Sequence, residues 1–482
     1  MANRASITDT PILSNSENLL GIENYAQALG DFILESATPL TVGIQGQWGT
    51  GKTSMMNLIQ EMYVAKDVAI SWVNTWEYSL FKEANETTPK VLRGMLETLK
   101  EACGDQWSLS DDLSQRIKKV SSFLGNLANQ AVAGKTGLDV KAAVGSNKSS
   151  TYTEVAQIKM EINSIIHELI EDSKNKYKKV VFFLDDLDRI DPTVAVEILE
   201  ALKNIFDIKN CVFVLAIDYN VVIKGLEKKF GKKTDQNERE FRSFFDKIIQ
   251  VPFSMPIGAY CIDNLLKRKF SELELEIDAE LEESFLSLVS LTVGYIPRSI
   301  KRYINTYSLL TRIKKQSQDE ENPFLNFCLF ALIGCQISYP EIFRLINKSP
   351  DFQKWDERFA KKHGVDDLST IDSDYKLTDE TWEKFLYLYC QEDVYLKSRV
   401  YNILDFFNLL RDTAGDDLMD AMNGALNFAS ITRVDDNIES KEIEHVLQSV
   451  TERIKFFGES AKKRLARVVK RSSMSDNLSQ DE

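Results

Sequence analysis

The sequence predicts an α/β protein with a parallel sheet between helices, followed by an all-α C-terminal domain. Three apolar segments support this prediction, because each has the length and the apolar, partly β-branched composition of a buried strand. They are residues 40–44, 180–184 and 211–217. The first is followed by a glycine-rich loop and a helical pattern, and each of the other two is followed directly by an aspartate. Polar residues at the carboxyl ends of strands are typical of sites in open α/β sheets.

The glycine-rich loop fits the pattern G-x-x-x-x-G-K-[ST], which binds nucleotide phosphates through backbone N–H groups. Glycine lets the backbone curl around the phosphates, and the N-terminus of the following helix supplies partial positive charge. Lys52 is expected to contact the β- and γ-phosphates, and the Thr53 hydroxyl to bind Mg²⁺. Because a strand precedes the loop and a helix follows it, we favour a nucleoside triphosphate site over a glycine-rich turn without a ligand. The predicted nucleotide-binding residues are Gly46, Gln47, Trp48, Gly49, Thr50, Gly51, Lys52, Thr53 and Ser54.

Two carboxylates, Asp185 and Asp186, follow the second apolar strand. Asp185 is predicted to bind the metal directly or through water. Asp186 is predicted to accept a proton from the attacking water or to orient it, with a metal-only role as its alternative. The competing interpretation of the pair is a solvated acidic turn. Asp218, after the third strand, is predicted to sense the γ-phosphate, to cap the helix that begins near Tyr219, or to do both.

A further strand is predicted around residues 71–76, between the loop and the acid pair. Its period of two places Trp72, Asn74 and Trp76 on one face. An amide between two indoles suggests a hydrogen-bonded role for Asn74 near the phosphate loop.

Composition limits the class of protein. The 482 residues are enough for two or three domains, and 43% apolar with 27% charged residues is ordinary for a soluble globular protein. The net charge of −14 argues against a protein that coats nucleic acid broadly. Six cysteines without a C-x-x-C pair predict reduced thiols in a cytoplasmic protein, and three distant histidines give little support to a histidine metal site. We expect no membrane span, because the most apolar stretch, residues 324–335, is too short to cross a bilayer.

Four segments of the sequence resemble the KAP family of P-loop NTPases, a branch of the same broad division as the AAA+ and STAND ATPases. They are the loop with Trp48-Gly49, the segment 71–76, the D-D-L-D-R of residues 185–189, and residues 246–253. A fifth and looser match, residues 296–302, has isoleucine where the family usually has asparagine. The likeness covers about residues 16–310, and residues 1–311 are predicted to form a KAP-type P-loop NTPase domain.

The resemblance implies further catalytic residues. ATPases of this division usually hydrolyse ATP when a neighbouring subunit places an arginine against the γ-phosphate. Arg242 is the first candidate and Arg239 the second, since both precede the fifth core strand and share one helix face. Ion pairs with neighbouring carboxylates are the alternative for both. Arg298 is predicted to be a second sensor of the γ-phosphate or, alternatively, an arginine in the first turn of a helix after Pro297.

Many members of the family carry transmembrane helices between the phosphate loop and the acid strand. The corresponding insertion here, about residues 100–155, is rich in small residues and is interrupted by Lys135, Asp139 and Lys141. Charges at that spacing disfavour insertion into hydrocarbon, so the soluble branch of the family fits better.

The C-terminal part is predicted to be helical. Residues 312–471 show amphipathic patterns and are interpreted as a sensing or assembly domain, and residues 472–482 as a disordered tail. Six cations lie within residues 461–471. We favour a solvated helix end over contact with nucleic acid or an acidic partner.

Together these features predict an Mg²⁺-dependent ATPase that forms homo-oligomers and uses ATP hydrolysis as a switch or a motor. The resemblance implies a prokaryotic setting, where soluble KAP proteins are often ATPase components of anti-phage defence that act with a separate effector. The alternatives are an ATP-gated scaffold without catalysis and a translocase stimulated by nucleic acid. The intact pair of Asp185 and Asp186 argues against the scaffold, and only the terminal cations support the translocase.

Overall fold

A computed structural model describes most of the chain. The described residues are 5–63, 67–79, 84–104, 160–171 except 161 and 168, 177–203, 207–275, 277–317, 323–369 and 380–432. One compact unit ends at Leu426, and a second begins at Asn427. The predictions for most of the insertion, for the terminal cations and for the tail lie outside the described residues.

Five strands form one sheet, and every neighbouring pair is parallel, which confirms the predicted fold class. The strand order is β2-β3-β4-β1-β5. β3 and β4 are buried almost from end to end, because helices cover a parallel sheet and its strands are apolar on both faces. The strands are β1 (Leu40–Gln45), β2 (Val68–Asn74), β3 (Lys179–Asp185), β4 (Cys211–Ile217) and β5 (Val251–Ser254).

Helices lie between the strands and form most of the described chain after β5. Further helical residues lie within 160–171. The helices up to β5 are α1 (Glu23–Glu35), α2 (Lys52–Tyr63), α3 (Thr75–Ser79), α4 (Ala84–Gly104), α5 (Pro192–Lys203), α6 (Tyr219–Phe230) and α7 (Glu238–Asp246). After β5 come α8 (Ile262–Leu273), α9 (Glu282–Leu291), α10 (Pro297–Ser317), α11 (Pro323–Ser338), α12 (Pro340–Lys348), α13 (Glu357–Lys362), α14 (Thr381–Gln391), α15 (Val394–Ala414) and α16 (Leu418–Ala429).

The predicted continuation of β2 to Trp76 is wrong. β2 ends at Asn74 and α3 begins at the next residue. The Asn74 side-chain oxygen accepts a hydrogen bond from the Trp76 backbone N–H at 3.1 Å. Asparagine favours such local bonds over the strand ladder, so it caps the helix and takes Trp76 out of the sheet.

The most apolar stretch of the sequence forms α11, a buried helix, as predicted. Helix α10 runs through residue 311, where the NTPase domain was predicted to end, and the domain boundaries stay a prediction. Within the part of the chain that the structure describes, no helix is both long and apolar enough to cross a membrane.

The centre of the sheet depends on aromatic packing between β3 and β4. The rings of Phe182 and Phe213 stack with centroids 5.1 Å apart, and both side chains are buried. Large side chains in such positions leave a cavity when truncated, since surrounding strands cannot collapse into the space.

We therefore expect Phe213→Ala to lower the free energy of unfolding by about 3–5 kcal/mol, measured by urea denaturation. The matched control is Phe32→Ala, because Phe32 on α1 is 45% exposed and Phe213 is 0% exposed. A surface change of this kind costs roughly 1 kcal/mol or less. Equal losses in the two variants would contradict the described core.

Candidate functional site

The glycine-rich loop connects β1 to α2 in a conformation that glycine alone tolerates. Gly49 and Gly51 have φ of +88° and +97°, in the region that side chains disfavour. A Cβ at Gly46 would lie 2.6 Å from the Thr50 hydroxyl oxygen, and one at Gly49 would lie 2.7 Å from the Cβ of Arg298. The loop is therefore held close to its surroundings, as a backbone cradle for phosphates requires.

Hydrogen bonds fix the loop at both ends. The Gly46 N–H donates to the carbonyl of Ile217 at 3.2 Å, which joins the loop to the end of β4. The buried Tyr260 hydroxyl donates to the carbonyl of Thr50 at 2.7 Å, and the Thr50 hydroxyl donates to the carbonyl of Gln47 at 2.8 Å. The loop is thus pre-formed by protein contacts alone.

Lys52 lies inside the curve of the loop. Its ammonium donates to the carbonyls of Gly46 at 2.9 Å and Gln47 at 3.3 Å, and it pairs with Asp188 at 2.7 Å. The side chains of Lys52 and Asp188 are only 7% and 4% exposed. Asp188 was not among the predicted site residues. Its place in the D-D-L-D-R segment was the available signal, but the segment contains three aspartates and does not say which one meets the lysine.

Asp185, at the end of β3, lies next to Thr53. The Thr53 side chain lies next to its carboxylate and favours the ionised form, and the backbone N–H of Asp186 donates a hydrogen bond to the carboxylate at 2.8 Å. Burial, together with the negative charge of Asp186, raises the pKa of Asp185 to about 6. The two predicted metal ligands are therefore in contact, and a cation beside them would relieve the repulsion between the carboxylates.

The side chains of Arg189 and Asn74 lie next to the Asp186 carboxylate. The backbone of Asp186 is left-handed, with φ of +58°. The guanidinium of Arg189 pairs with its carboxylate at 2.6 Å, and the nearby Asn74 side chain favours the ionised form of that carboxylate. Burial raises the pKa of Asp186, and the charge of Arg189 opposes that rise. The guanidinium of Arg189 also lies 5.7 Å from the ring centre of Trp76.

Arg298 contacts the loop at Trp48 and Gly49. Its guanidinium carbon lies 4.1 Å from the ring centre of Trp48, which is 60% exposed, and its backbone N–H faces the carbonyl of Gly49 at 3.4 Å. The Nε atom pairs with Asp9. The Nη1 atom is buried and has no hydrogen-bond partner among the described residues. Arg298 is also the second residue of α10, after Pro297, so both interpretations of it agree with its position.

Asp218 caps α6, as one of its two interpretations predicted, and its side chain accepts a hydrogen bond from the Asn220 N–H at 2.9 Å. It directly follows Ile217, whose carbonyl binds the first residue of the loop. Arg239 and Arg242 are exposed on α7, and neither makes an ion pair with a described residue. The roles of all three in hydrolysis stay predictions.

The arrangement fits a nucleoside triphosphate with Mg²⁺. The loop provides a glycine cradle and a buried ammonium, and the Nη1 of Arg298 is a buried donor that has no acceptor among the described residues. Thr53 and Asp185 provide oxygen ligands of the kind that Mg²⁺ prefers. Several donors therefore converge on the loop, and carboxylates lie beside it, as phosphoryl transfer requires.

The chain matches a known protein family. A family model described as "KAP family P-loop domain" matches residues 22–314 of the chain. The chain is also similar to the Phage T7 exclusion protein of Escherichia coli (strain K12), with 22% identity over 340 residues. That match covers 64% of this chain and 43% of the relative, so the chain spans less than half of the relative's length.

The buried pair of Lys52 and Asp188 leads to a test of stability. Removing one partner leaves an uncompensated buried charge, so Lys52→Met and Asp188→Leu should each lower the free energy of unfolding by about 3–5 kcal/mol. The double variant should lose much less than the sum of the two, because neither member of the pair is then left buried without its partner.

The control cycle uses Arg93 and Glu97, a pair at 2.7 Å whose side chains are 46% and 43% exposed. Its coupling energy should be about 0.3–0.5 kcal/mol, as for other exposed pairs on a helix. Additive losses at Lys52 and Asp188 would contradict a buried ion pair there.

Proposed function

The chain belongs to the KAP family of P-loop NTPases, and from that premise we propose that it is an Mg²⁺-dependent ATPase. The observation that carries the proposal is the contact of Asp185 with Thr53, next to Asp186 and the buried Lys52. A protein that only binds nucleotide needs the loop but has no need for two buried carboxylates beside it. A hydrolase needs both carboxylates, one for the metal and one for water.

Each residue then has a distinct task. The loop from Gly46 to Thr53 binds the phosphates through its N–H groups, and Lys52 exchanges Asp188 for phosphate oxygens. Thr53 and Asp185 would hold Mg²⁺, which would neutralise charge on the phosphates. Asp186, fixed by Asn74 and Arg189, orients the attacking water and accepts its proton.

We further propose that the enzyme works as a homo-oligomer. Arg242, or in second place Arg239, then reaches the γ-phosphate of a neighbouring subunit and stabilises the charge of the transition state. The exposed position of both arginines on α7 and their lack of an ion pair with a described residue support this proposal. Asp218 and Arg298 are the proposed sensors of the γ-phosphate within one subunit.

The biological role that we propose is anti-phage defence in the cytoplasm of a prokaryotic cell, with a separate protein as effector. The similarity to a protein named for the exclusion of phage T7 supports this role. ATP hydrolysis would serve as the switch or motor that controls the effector. Stimulation of hydrolysis by DNA or RNA would instead favour the translocase alternative.

The first experiment compares phosphate release from ATP, and ATP binding, in the wild-type protein and its variants. Asp186→Asn should lower the hydrolysis rate by about 100-fold or more, with little change in binding, because water activation is lost and the loop is intact. Lys52→Ala should lose binding. Asp191→Asn is the matched control, because Asp191 is an exposed aspartate of the same turn and asparagine keeps its bond to the Thr193 N–H. Tight ATP binding without turnover in the wild-type protein would contradict an ATPase and favour the scaffold.

Mixing variants tests the role of Arg242 between subunits. Arg242→Ala and Asp186→Asn should each be inactive, but a mixed oligomer should regain part of the activity. The restored sites combine an intact Asp186 in one subunit with an intact Arg242 in the next. Lack of recovery, with mixed oligomers shown by light scattering, would contradict action between subunits. Repeating the mixture with Arg239→Ala in place of Arg242→Ala shows which of the two arginines acts on the neighbouring subunit.

A further inference from the structure

The segment before the first helix crosses two helices that flank the phosphate loop. Residues 5–13, here called the N-terminal strap, contain neither helix nor strand. On α2, the Ser54 hydroxyl accepts a hydrogen bond from the Ile12 N–H at 3.3 Å, and the Asn57 amide donates to the Ile12 carbonyl at 2.8 Å. The strap is thus attached to the helix that begins with Lys52 and Thr53.

The other part of the strap is held by one face of α10. The Asn305 side chain accepts from the Ile7 N–H at 2.6 Å and donates to the Ile7 carbonyl at 2.8 Å. Lys301 donates to the Thr10 carbonyl at 3.2 Å, and Ser308 donates to the Ala5 carbonyl at 3.0 Å. Spacings of four and three residues place Lys301, Asn305 and Ser308 on one face of the helix. The strap therefore lies along the helix that carries Arg298.

Asp9 is the residue of the strap that reaches the nucleotide site. Its carboxylate pairs with the Nε of Arg298, whose guanidinium covers Trp48 of the phosphate loop. Lys301 lies one turn further along α10, and burial lowers its pKa while the charge of Asp9 opposes this fall. Asp9 is thus paired with Arg298, and its charge also acts on Lys301.

The pairing leaves Arg298 incompletely satisfied. Its Nη1 is buried without a hydrogen-bond partner among the described residues, although its Nε is paired. A buried donor without an acceptor is unfavourable. A phosphate bound at the loop would attract the same guanidinium as the Asp9 carboxylate, so the two anions would compete for Arg298.

We propose that the N-terminal strap is a nucleotide-sensitive latch and that Asp9 is its positioning residue. Asp9 holds Arg298 away from the phosphates, and a bound nucleoside triphosphate draws Arg298 from Asp9 and loosens the strap. This inference rests on the proposed nucleotide site and adds a regulatory segment to it. By thermodynamic reciprocity, a nucleotide that weakens the latch must bind more tightly when the latch is removed.

The test uses the full chain with Mg²⁺ and the non-hydrolysable β,γ-imido analogue of ATP, so that binding is measured apart from turnover. Asp9→Asn should bind the analogue about two- to fivefold more tightly, the range for a partly exposed ion pair. Arg298→Ala should bind it more weakly, because the phosphate partner is lost. Asp67→Asn is the matched control, since Asp67 makes an exposed pair with Lys178 at 3.2 Å, next to the opposite end of β2 from the site.

Hydrogen exchange at the backbone amides of Ile7 and Ile12 gives a readout that does not depend on hydrolysis. Exchange should become faster when the analogue binds, and it should already be faster in Asp9→Asn without the analogue. Unchanged or weaker binding in Asp9→Asn, or strap amides that the analogue protects, would overturn the latch while nucleotide binding stands. A wild-type protein that does not bind the analogue at all would instead overturn the proposed function.

Discussion

The ion pair between Lys52 and Asp188 joins the two halves of the candidate site. β1 and β3 are separated in the sheet by β4, so the phosphate loop and the acidic turn meet only through side chains that cross this gap. Lys52 crosses it, and its burial makes the contact with Asp188 necessary, because a buried ammonium without a partner is strongly unfavourable. Carbonyls of the loop complete its coordination and keep it inside the curve of the backbone.

The charges around this pair are not balanced, and the imbalance fits the proposed ligands. Asp185, Asp186 and Asp188 lie close together, and their described cationic partners are Lys52 and Arg189. The raised pKa of Asp185 follows from its burial and from this excess of negative charge. A divalent cation would neutralise the excess negative charge. Triphosphate oxygens would accept hydrogen bonds from Lys52 and from the Nη1 of Arg298, which has no partner among the described residues. Binding of the metal and the triphosphate together would therefore neutralise the carboxylates and supply acceptors for the cationic side chains.

The parallel sheet, the phosphate loop and the acid pair could be predicted because their signals are local. A strand, a glycine loop and a helix follow one another within about 25 residues, and the acids directly follow an apolar run. The end of β2 was mispredicted because Asn74 caps a helix, and such capping competes with continuation of the strand. The partner of Lys52 depends on the turn after β3, in which Asp186 is left-handed. The pair of Asp9 and Arg298 joins a segment that precedes the matched residues 22–314 to a helix near their end, and no local pattern connects the two.

The most direct test of the central claim is an experimental structure of the Asp186→Asn protein with ATP and Mg²⁺. We expect the triphosphate inside the glycine loop, Lys52 on phosphate oxygens instead of Asp188, and the metal beside Thr53 and Asp185. Lys52 still paired with Asp188, with the nucleotide bound elsewhere or absent at saturating concentration, would contradict the claim that these two halves form one site for ATP hydrolysis.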